Sequence, residues 1–318
     1  DYYLIVRGVA LFGKSQFKTA LINGMVLKEG KMMHKSYGNY VPLMEAIEKY
    51  GADAFRLWAA TAAKTGMDIN FTWGGLEYAR RFLTKLWNIA RYVSIAVAGE
   101  EVPERVEEGE FRLLDRWILN EVEKLTSIVT KALEEFDFQT AALSIIDFTW
   151  HKFADHYIEA TKYRIGGGKY KRSAIYTLYY VLFRVIHLLS VFAPHICEEL
   201  YHRMFKNRMG YESITVIPWP EAKGYDEEVI KHGDIVVQVI ATIRRAKQDA
   251  RIPLSKELNE VVIHAGDYAP IIQTSIDDIR GTIRAKTVIV KEERLEREER
   301  IGERYRVERY PEIVIEIG

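Results

Sequence analysis

The sequence predicts a mainly α-helical protein with α/β material at both ends, and three observations carry that prediction. From about residue 113 to 208, apolar residues recur at helical spacing in four long segments with short connections, the pattern of a helix bundle. Near the N terminus an apolar run, Thr19–Leu27, is followed by a loop rich in lysine, serine, glycine and asparagine, and then by another helical pattern. A strand, a loop and a helix in that order form the usual phosphate-handling context of α/β proteins. Beyond residue 258 β-branched residues cluster, as in a small α/β unit.

Length and composition narrow the classes. With 318 residues, 48% of them hydrophobic, the chain can hold two or three domains and is not a disordered one. Forty-five basic residues balance 45 acidic ones, so any nucleic-acid site has to be a local patch. A single cysteine, Cys197, excludes a disulfide framework and a cysteine zinc cluster, and suits a reducing, cytoplasmic setting. No apolar run reaches the length of a membrane span, and no signal peptide is evident. The chain opens at Asp1 within a helical pattern and reads as a fragment of a longer protein.

Taken in order, Leu4, Ile5, Val9 and Phe12 give a helix stopped by Gly13, and Thr19–Leu27 reads as a short buried strand. In the loop Gly30-Lys31-Met32-Met33-His34-Lys35-Ser36-Tyr37-Gly38-Asn39, Lys35 can present an ammonium to a polyphosphate. Ser36 and backbone N–H groups can donate to the same anion. Alone, the loop reads more readily as a solvated basic turn, since basic surface loops are common. Residues 43–60 read as a helix interrupted at Gly51, and about 75–97 as another, with Arg80, Arg81, Lys85 and Arg91 as its basic residues. Asp68, between them, can cap a turn or brace the loop. The acidic stretch 99–109 reads as a linker. The bundle helices span about 113–136, 139–165, 170–192 and 194–208, with Leu114, Trp117, Ile118, Leu125, Ile128, Val129 and Leu133 on the core side of the first. Asp115 suits that helix's dipole. In the tail, strands are expected at 259–264, 287–290, 305–310 and 312–317, a helix at 268–279, and a charged surface turn at 291–300.

The residues around the loop carry a resemblance. Met33-His-Lys-Ser-Tyr-Gly-Asn39, followed by Tyr50-Gly-Ala-Asp-Ala-Phe-Arg-Leu-Trp58, resembles the signature of class I aminoacyl-tRNA synthetases, KMSKS-x-GN and then YGAD-x-RLW. The second lysine and last serine of the pentapeptide match Lys35 and Ser36. Met32 stands at the first lysine, with Lys31 one residue earlier, and His34 at the first serine. Gly66-Met-Asp-Ile-Asn-Phe71 resembles the family's G-x-D-x-x-F turn. Leu188–Tyr201 is similar to the L-x-P-x-x-x-EELW motif of the anticodon-binding bundle. Trp150-His-Lys-Phe-Ala-Asp-His-Tyr-Ile-Glu159 resembles the valyl pattern WHxFCDxYIE. Ile214–Pro220 and Ile243–Leu254 resemble the segments that follow the bundle in the valyl branch. The resemblance covers roughly residues 1–265.

The resemblance implies a fold and a function. Residues 1–40 would be the end of a Rossmann-type catalytic domain, 41–105 a helical stem-contact connector, 106–222 the anticodon-binding bundle, and 223–318 a helix with a small C-terminal α/β domain. The whole enzyme would ligate valine to its tRNA isoacceptors through valyl-adenylate, using ATP and Mg2+. Lys35 would be the catalytic lysine, with Lys31, His34 and Ser36 beside it at ATP. No His-x-Gly-His motif occurs, so the fragment alone is not expected to activate valine. Candidate tRNA contacts are Arg80, Arg81, Trp150, Tyr157, Arg244, Arg245 and Lys247. Each has a plainer reading: solvated charge for the basic residues, core packing for Trp150, as for Trp58, Trp87 and Trp117. The histidine pairs 151/156 and 195/202 lack a third ligand nearby, and no metal site is expected. Two rivals remain open: an isoleucyl-type enzyme, and a non-enzymatic tRNA-binding paralogue.

Overall fold

A computed structural model describes residues 2–167, 169–293 and 304–317. Helix α1 (Tyr2–Phe12) ends at Gly13, whose left-handed backbone (φ +68°) lets its N–H reach the Val9 carbonyl. Leu4, Val9 and Phe12 on this helix are exposed.

The expected buried strand over residues 19–27 is corrected. Only β1 (Val26–Lys28) forms, and Leu21, Ile22 and Met25 before it are exposed. A strand needs a hydrogen-bonded neighbour. Among the described residues β1 has two: β2 (Lys31–Met32), antiparallel, and β3 (Ile69–Asn70), parallel, with Val26 opposite Ile69. The paired register begins at Val26, and among the described residues the only sheet bond behind it is the Ile69 N–H to the Met25 carbonyl at 2.8 Å. The preceding residues are tied instead by the Met25 N–H, which donates to Asp68 Oδ1 at 2.8 Å. Gly24 lies so close to the Met67 carbonyl that a Cβ would stand 2.1 Å from its oxygen. Asp68 therefore braces the strand. The capping task falls to Thr72, whose Oγ1 accepts the Gly75 N–H at the start of the helix that follows β3.

Helices α2 (Leu43–Tyr50) and α3 (Ala52–Thr61) are separated at Gly51, where φ is +92°. Helix α4 (Trp73–Val97) follows, burying Leu76, Phe82, Leu86, Ile89 and Val93 along one face. The bundle begins with α5 (Leu113–Glu134). Its second member is one long helix with a widened middle: α6 (Phe138–Asp147), a π-helical stretch (Phe148–Ile158), and α7 (Glu159–Ile165). Helices α8 (Lys171–Leu189), α9 (Pro194–Met204) and the short α10 (Lys206–Met209) complete it. The core residues expected on α5 are buried except Ile128, exposed, and Leu133, half-buried. Trp87 is also exposed, with the Arg203 guanidinium over its ring, so it is not a core residue.

Helix α11 (Glu227–Asp249) runs back along α5. Gly233 makes the approach possible, since a Cβ there would lie 2.4 Å from the Trp117 side chain, and the Trp117 indole N–H donates to Asp234. The expected tail helix breaks at Ser275. The C-terminal unit is β4 (Leu258–His264), α12 (Ala269–Thr274), α13 (Ile276–Ile283), β5 (Ala285–Lys291), β6 (Arg304–Val307) and β7 (Tyr310–Ile317). Its sheet order is β5-β4-β7-β6, with β4 parallel to β5 and antiparallel to β7. Most of the charged turn expected over 291–300 lies outside the described residues.

Candidate functional site: signature loop and helical interface

The loop after β2 is internally built. His34 N–H donates to Asn39 Oδ1 at 2.9 Å, and Asn39 Nδ2 donates to the Met32 carbonyl at 2.9 Å. Asn39 thus closes the loop from inside. Lys35–Tyr37 form a single 3-10 turn, ended by Gly38 in the left-handed region (φ +67°). His34 Nδ1 lies 2.7 Å from Ser36 Oγ and accepts the Ser36 N–H. Lys31, His34, Lys35 and Ser36 are all exposed, and Lys35 Nζ rests over the Tyr40 ring, 5.3 Å from its centroid. The turn therefore offers an ammonium, a hydroxyl and an imidazole to a polyanion on a frame that does not depend on the ligand.

The residues after the loop couple it to the bundle. Asp53 is 8% exposed, and its carboxylate accepts the His195 and Ile196 N–H groups at 3.3 and 2.7 Å. These are orphan donors in the first turn of α9, and a carboxylate there also suits the helix dipole. Arg56, one turn on, donates to the Phe192 and Val191 carbonyls at 3.2 and 2.9 Å. The Asp and Arg of the YGAD-x-RLW stretch are thus a clamp on the α8–α9 turn, a role that no spacing in the sequence reveals.

The residues expected to touch nucleic acid divide into two groups. Arg80, Arg81 and Arg91 are exposed on α4, Arg81 pairing loosely with Glu77. Trp150 is half-buried and stacked on Tyr78 (6.1 Å, 8°) and Phe82 (6.3 Å, 26°), with Lys85 Nζ 5.9 Å from its ring centroid. The exposed plate of that stack is Tyr78, which sequence reasoning passed over although its spacing to Phe82 is one helical turn. Arg244 is partly buried and paired with Glu159 at 3.3 Å, and Arg245 is exposed beside Glu308.

Tyr157 and Lys247 are corrected as contact residues. Tyr157 is 1% exposed and donates its hydroxyl to Asp115 Oδ1 at 2.6 Å; burial and that carboxylate push its phenol well above the ordinary range. Lys247 is fully buried. Its ammonium donates to the Lys256 and Ile283 carbonyls at 2.6 and 2.7 Å and, more loosely, to Leu254. Burial lowers its pKa. It fastens the C-terminal unit to the end of α11.

A second fastening lies beside it. Arg164 on α7 is fully buried between two fully buried carboxylates, Asp115 on α5 and Asp278 on α13. Its Nη1 meets both Asp115 oxygens at 2.8 and 2.9 Å, and its Nε and Nη2 meet Asp278 Oδ1 at 2.9 and 2.7 Å. Burial acts to lower the guanidinium's pKa, but the two aspartates outweigh it and hold it above its usual value. Tyr163 also donates to Asp278, and the Arg112 guanidinium flanks it. No local pattern signals this cluster, because its members lie 49 and 114 residues apart.

These features agree with the similarities to known proteins. Residues 2–72 match the model of the class I tRNA synthetases (I, L, M and V), and residues 115–263 that of the anticodon-binding domain of tRNA ligase. The chain belongs to the class I tRNA synthetases of this group. Within it, the chain is similar to valine--tRNA ligases. It is 38% identical to that of Pyrococcus horikoshii over 307 residues, covering 95% of this chain and 34% of the relative. It is 39% identical to that of Thermococcus kodakarensis over 308 residues, with the same coverage. It is 39% identical to that of Methanothermobacter thermautotrophicus over 289 residues, 89% of this chain and 32% of the relative. The chain thus spans about a third of the length of these curated relatives. The fold is shared with the LeuRS of Agrobacterium radiobacter K84 in its ternary complex with tRNA and LeuAMS. That match has a TM-score of 0.55 at 22% identity, over 72% of this chain and 27% of that one.

Proposed function

We propose that this chain is the part of a valine--tRNA ligase that carries the signature loop and the tRNA-recognising helices. The observation that carries the reading is the preformed, exposed Lys35 turn, on a chain similar to such ligases over 95% of its length. The domain division is residues 1–40 with the loop, 41–105 as connector, 106–222 as anticodon-binding bundle, and 223–318 as the C-terminal part. Helix α11 packs on α5 and so adds to the bundle from beyond residue 223.

In the complete enzyme the valine carboxylate attacks the α-phosphorus of ATP and pyrophosphate leaves. Negative charge grows on the departing phosphates. Lys35, with Lys31 and the Ser36 hydroxyl close by, supplies fixed positive charge and a donor where that growth occurs. Asn39 keeps the turn in shape, so little reorganisation is needed during reaction. Mg2+ would accompany the phosphates of ATP. The helical part takes the tRNA partner, with Arg80, Arg81, Arg244 and Arg245 as phosphate contacts and the Tyr78–Trp150 stack as a plate for an unstacked base. A cytoplasmic location goes with this reading. No helix among the described residues is long and apolar enough to cross a membrane.

The test is Lys35→Ala in the full-length enzyme, read by valine-dependent ATP–pyrophosphate exchange. The expected loss is about 3–4 kcal/mol of transition-state stabilisation, with little change in valine affinity. Exchange within a few-fold of the unaltered enzyme would remove Lys35 from this role.

A further inference from the structure

Two hollows of about 250 and 700 Å3 lie side by side where the bundle meets the C-terminal unit. They share Tyr163, Ser255, Gly281 and Arg284 and so form one open cleft. One wall comes from α7 and the residues leading into α8, the other from the 254–257 turn and the α13–β5 junction. Neither unit alone makes the cleft. The buried Arg164 and Lys247 fastenings lie at this junction and fix the walls relative to each other.

The lining is strongly basic for a chain of zero net charge. Lys162, Lys169, Arg244, Arg280 and Arg284 reach it, against Glu159, Glu257 and Asp277. Neutralisation is incomplete. Glu159 alone serves both Lys162 and Arg244, while Asp277 serves Arg280. Lys169 and Arg284 have no carboxylate partner among the described residues. Lys169 Nζ sits over the Tyr170 ring and Arg284 donates to the Ser255 carbonyl. Tyr170 itself carries the Arg112 guanidinium 4.8 Å from its ring centroid. An open trough with cations along both walls and few apolar side chains does not suit a small apolar ligand. It suits an extended polyanion with charges at intervals.

We propose that this cleft is a second tRNA contact, in which Lys169, Arg280 and Arg284 hold phosphates of the RNA backbone. It rests on the reading of the chain as the tRNA-binding part of a valine--tRNA ligase, and it makes the C-terminal unit one jaw of the RNA site. The contact is to backbone phosphate, so it adds affinity without sequence preference.

The experiment titrates the 318-residue chain with fluorescent valine tRNA and one non-cognate tRNA at several salt concentrations. Three variants are compared: Lys169→Ala with Arg284→Gln, Lys169→Ala alone, and Lys131→Gln. Lys131, exposed near the far end of α5, removes one charge roughly 24 Å along the helix from Asp115. The double variant is expected to weaken both tRNAs alike, by about tenfold, and to reduce the salt slope by about two. The single variant, in an exposed loop where folding is not at stake, is expected to show about half that slope change, and Lys131→Gln almost none. Binding by the double variant equal to that of Lys131→Gln would overturn the cleft proposal while leaving the tRNA reading intact. Failure of the unaltered chain to bind either tRNA at low salt would overturn both.

Discussion

Arg164→Met tests whether the buried charge cluster holds the C-terminal unit in place. Methionine keeps much of the side-chain length and removes only the guanidinium. Asp115 then loses two charge-assisted contacts and keeps the Tyr157 hydroxyl and the Arg112 N–H. Asp278 loses the Nε and Nη2 contacts and keeps Tyr163 and a long contact to Arg112. The three of these that are hydrogen bonds, at about 1.5–3 kcal/mol each, would sum to about 4.5–9 kcal/mol if they were additive. The retained donors relieve part of the loss, which brings the expectation to about 3–5 kcal/mol, the usual consequence of stripping one member from a buried ion cluster. Urea unfolding at neutral pH measures the total. Hydrogen exchange then localises it, because α13 amides should lose protection more than α8 amides if the cluster is the fastening. The triple variant Arg164→Met, Asp115→Asn, Asp278→Asn should recover a large share, since no unpaired charge remains buried. A loss below about 1 kcal/mol for Arg164→Met, or one spread evenly over the helices, would refute the reasoning.

Other expectations follow from single contacts. Asp53→Ala removes the carboxylate from the first turn of α9 and should cost about 1–2 kcal/mol in urea unfolding, with exchange rising at the Ile196 amide. Asp137 caps α6 through the Thr140 N–H and hydroxyl, which hold its carboxyl below the usual range. That contribution is present above the unfolded-state pKa of about 4 and is lost as pH falls through the lower folded value. The gap between the unaltered chain and Asp137→Ala, about 1 kcal/mol at neutral pH, should therefore close on acidification. Gly233→Ala forces a Cβ into the Trp117 side chain; despite alanine's better helix propensity, it should destabilise by about 1–2 kcal/mol by thermal melting.

Features with a local signature were legible in the sequence. The Lys35 turn was marked by its own residues and by Gly38 and Asn39, and the helices by their apolar spacing. Features made by distant partners were not. Lys247 shares a basic run with Arg244 and Arg245, and nothing in that run says which of the three turns inward to meet carbonyls of residues 254, 256 and 283. Tyr157 belongs to a motif that reads as a contact surface, yet its hydroxyl is spent on Asp115. Residues 19–25 misled for the opposite reason. Their apolar run has the composition of a strand, but a strand is decided by its neighbours, and among the described residues the paired register of β1 begins at Val26, with a single sheet bond to the Met25 carbonyl behind it. The valyl resemblance on the bundle and the following helix was carried by motif spacing, and the similarity to archaeal valine--tRNA ligases runs along the same residues.

The grip of Asp53 and Arg56 has a consequence for how the chain tolerates change. All four of their bonds go to main-chain atoms, at residues 191, 192, 195 and 196. Any residue other than proline at 195 and 196 still offers the same N–H, and any residue at 191 and 192 offers the same carbonyl. Substitutional freedom is therefore lopsided: one side of the joint can drift widely, while the other is held to two side chains. A saturation library scored for folding should show a broad permitted set at the exposed positions 191 and 195, with 192 held apolar by its burial, opposite a narrower set at 53 and 56.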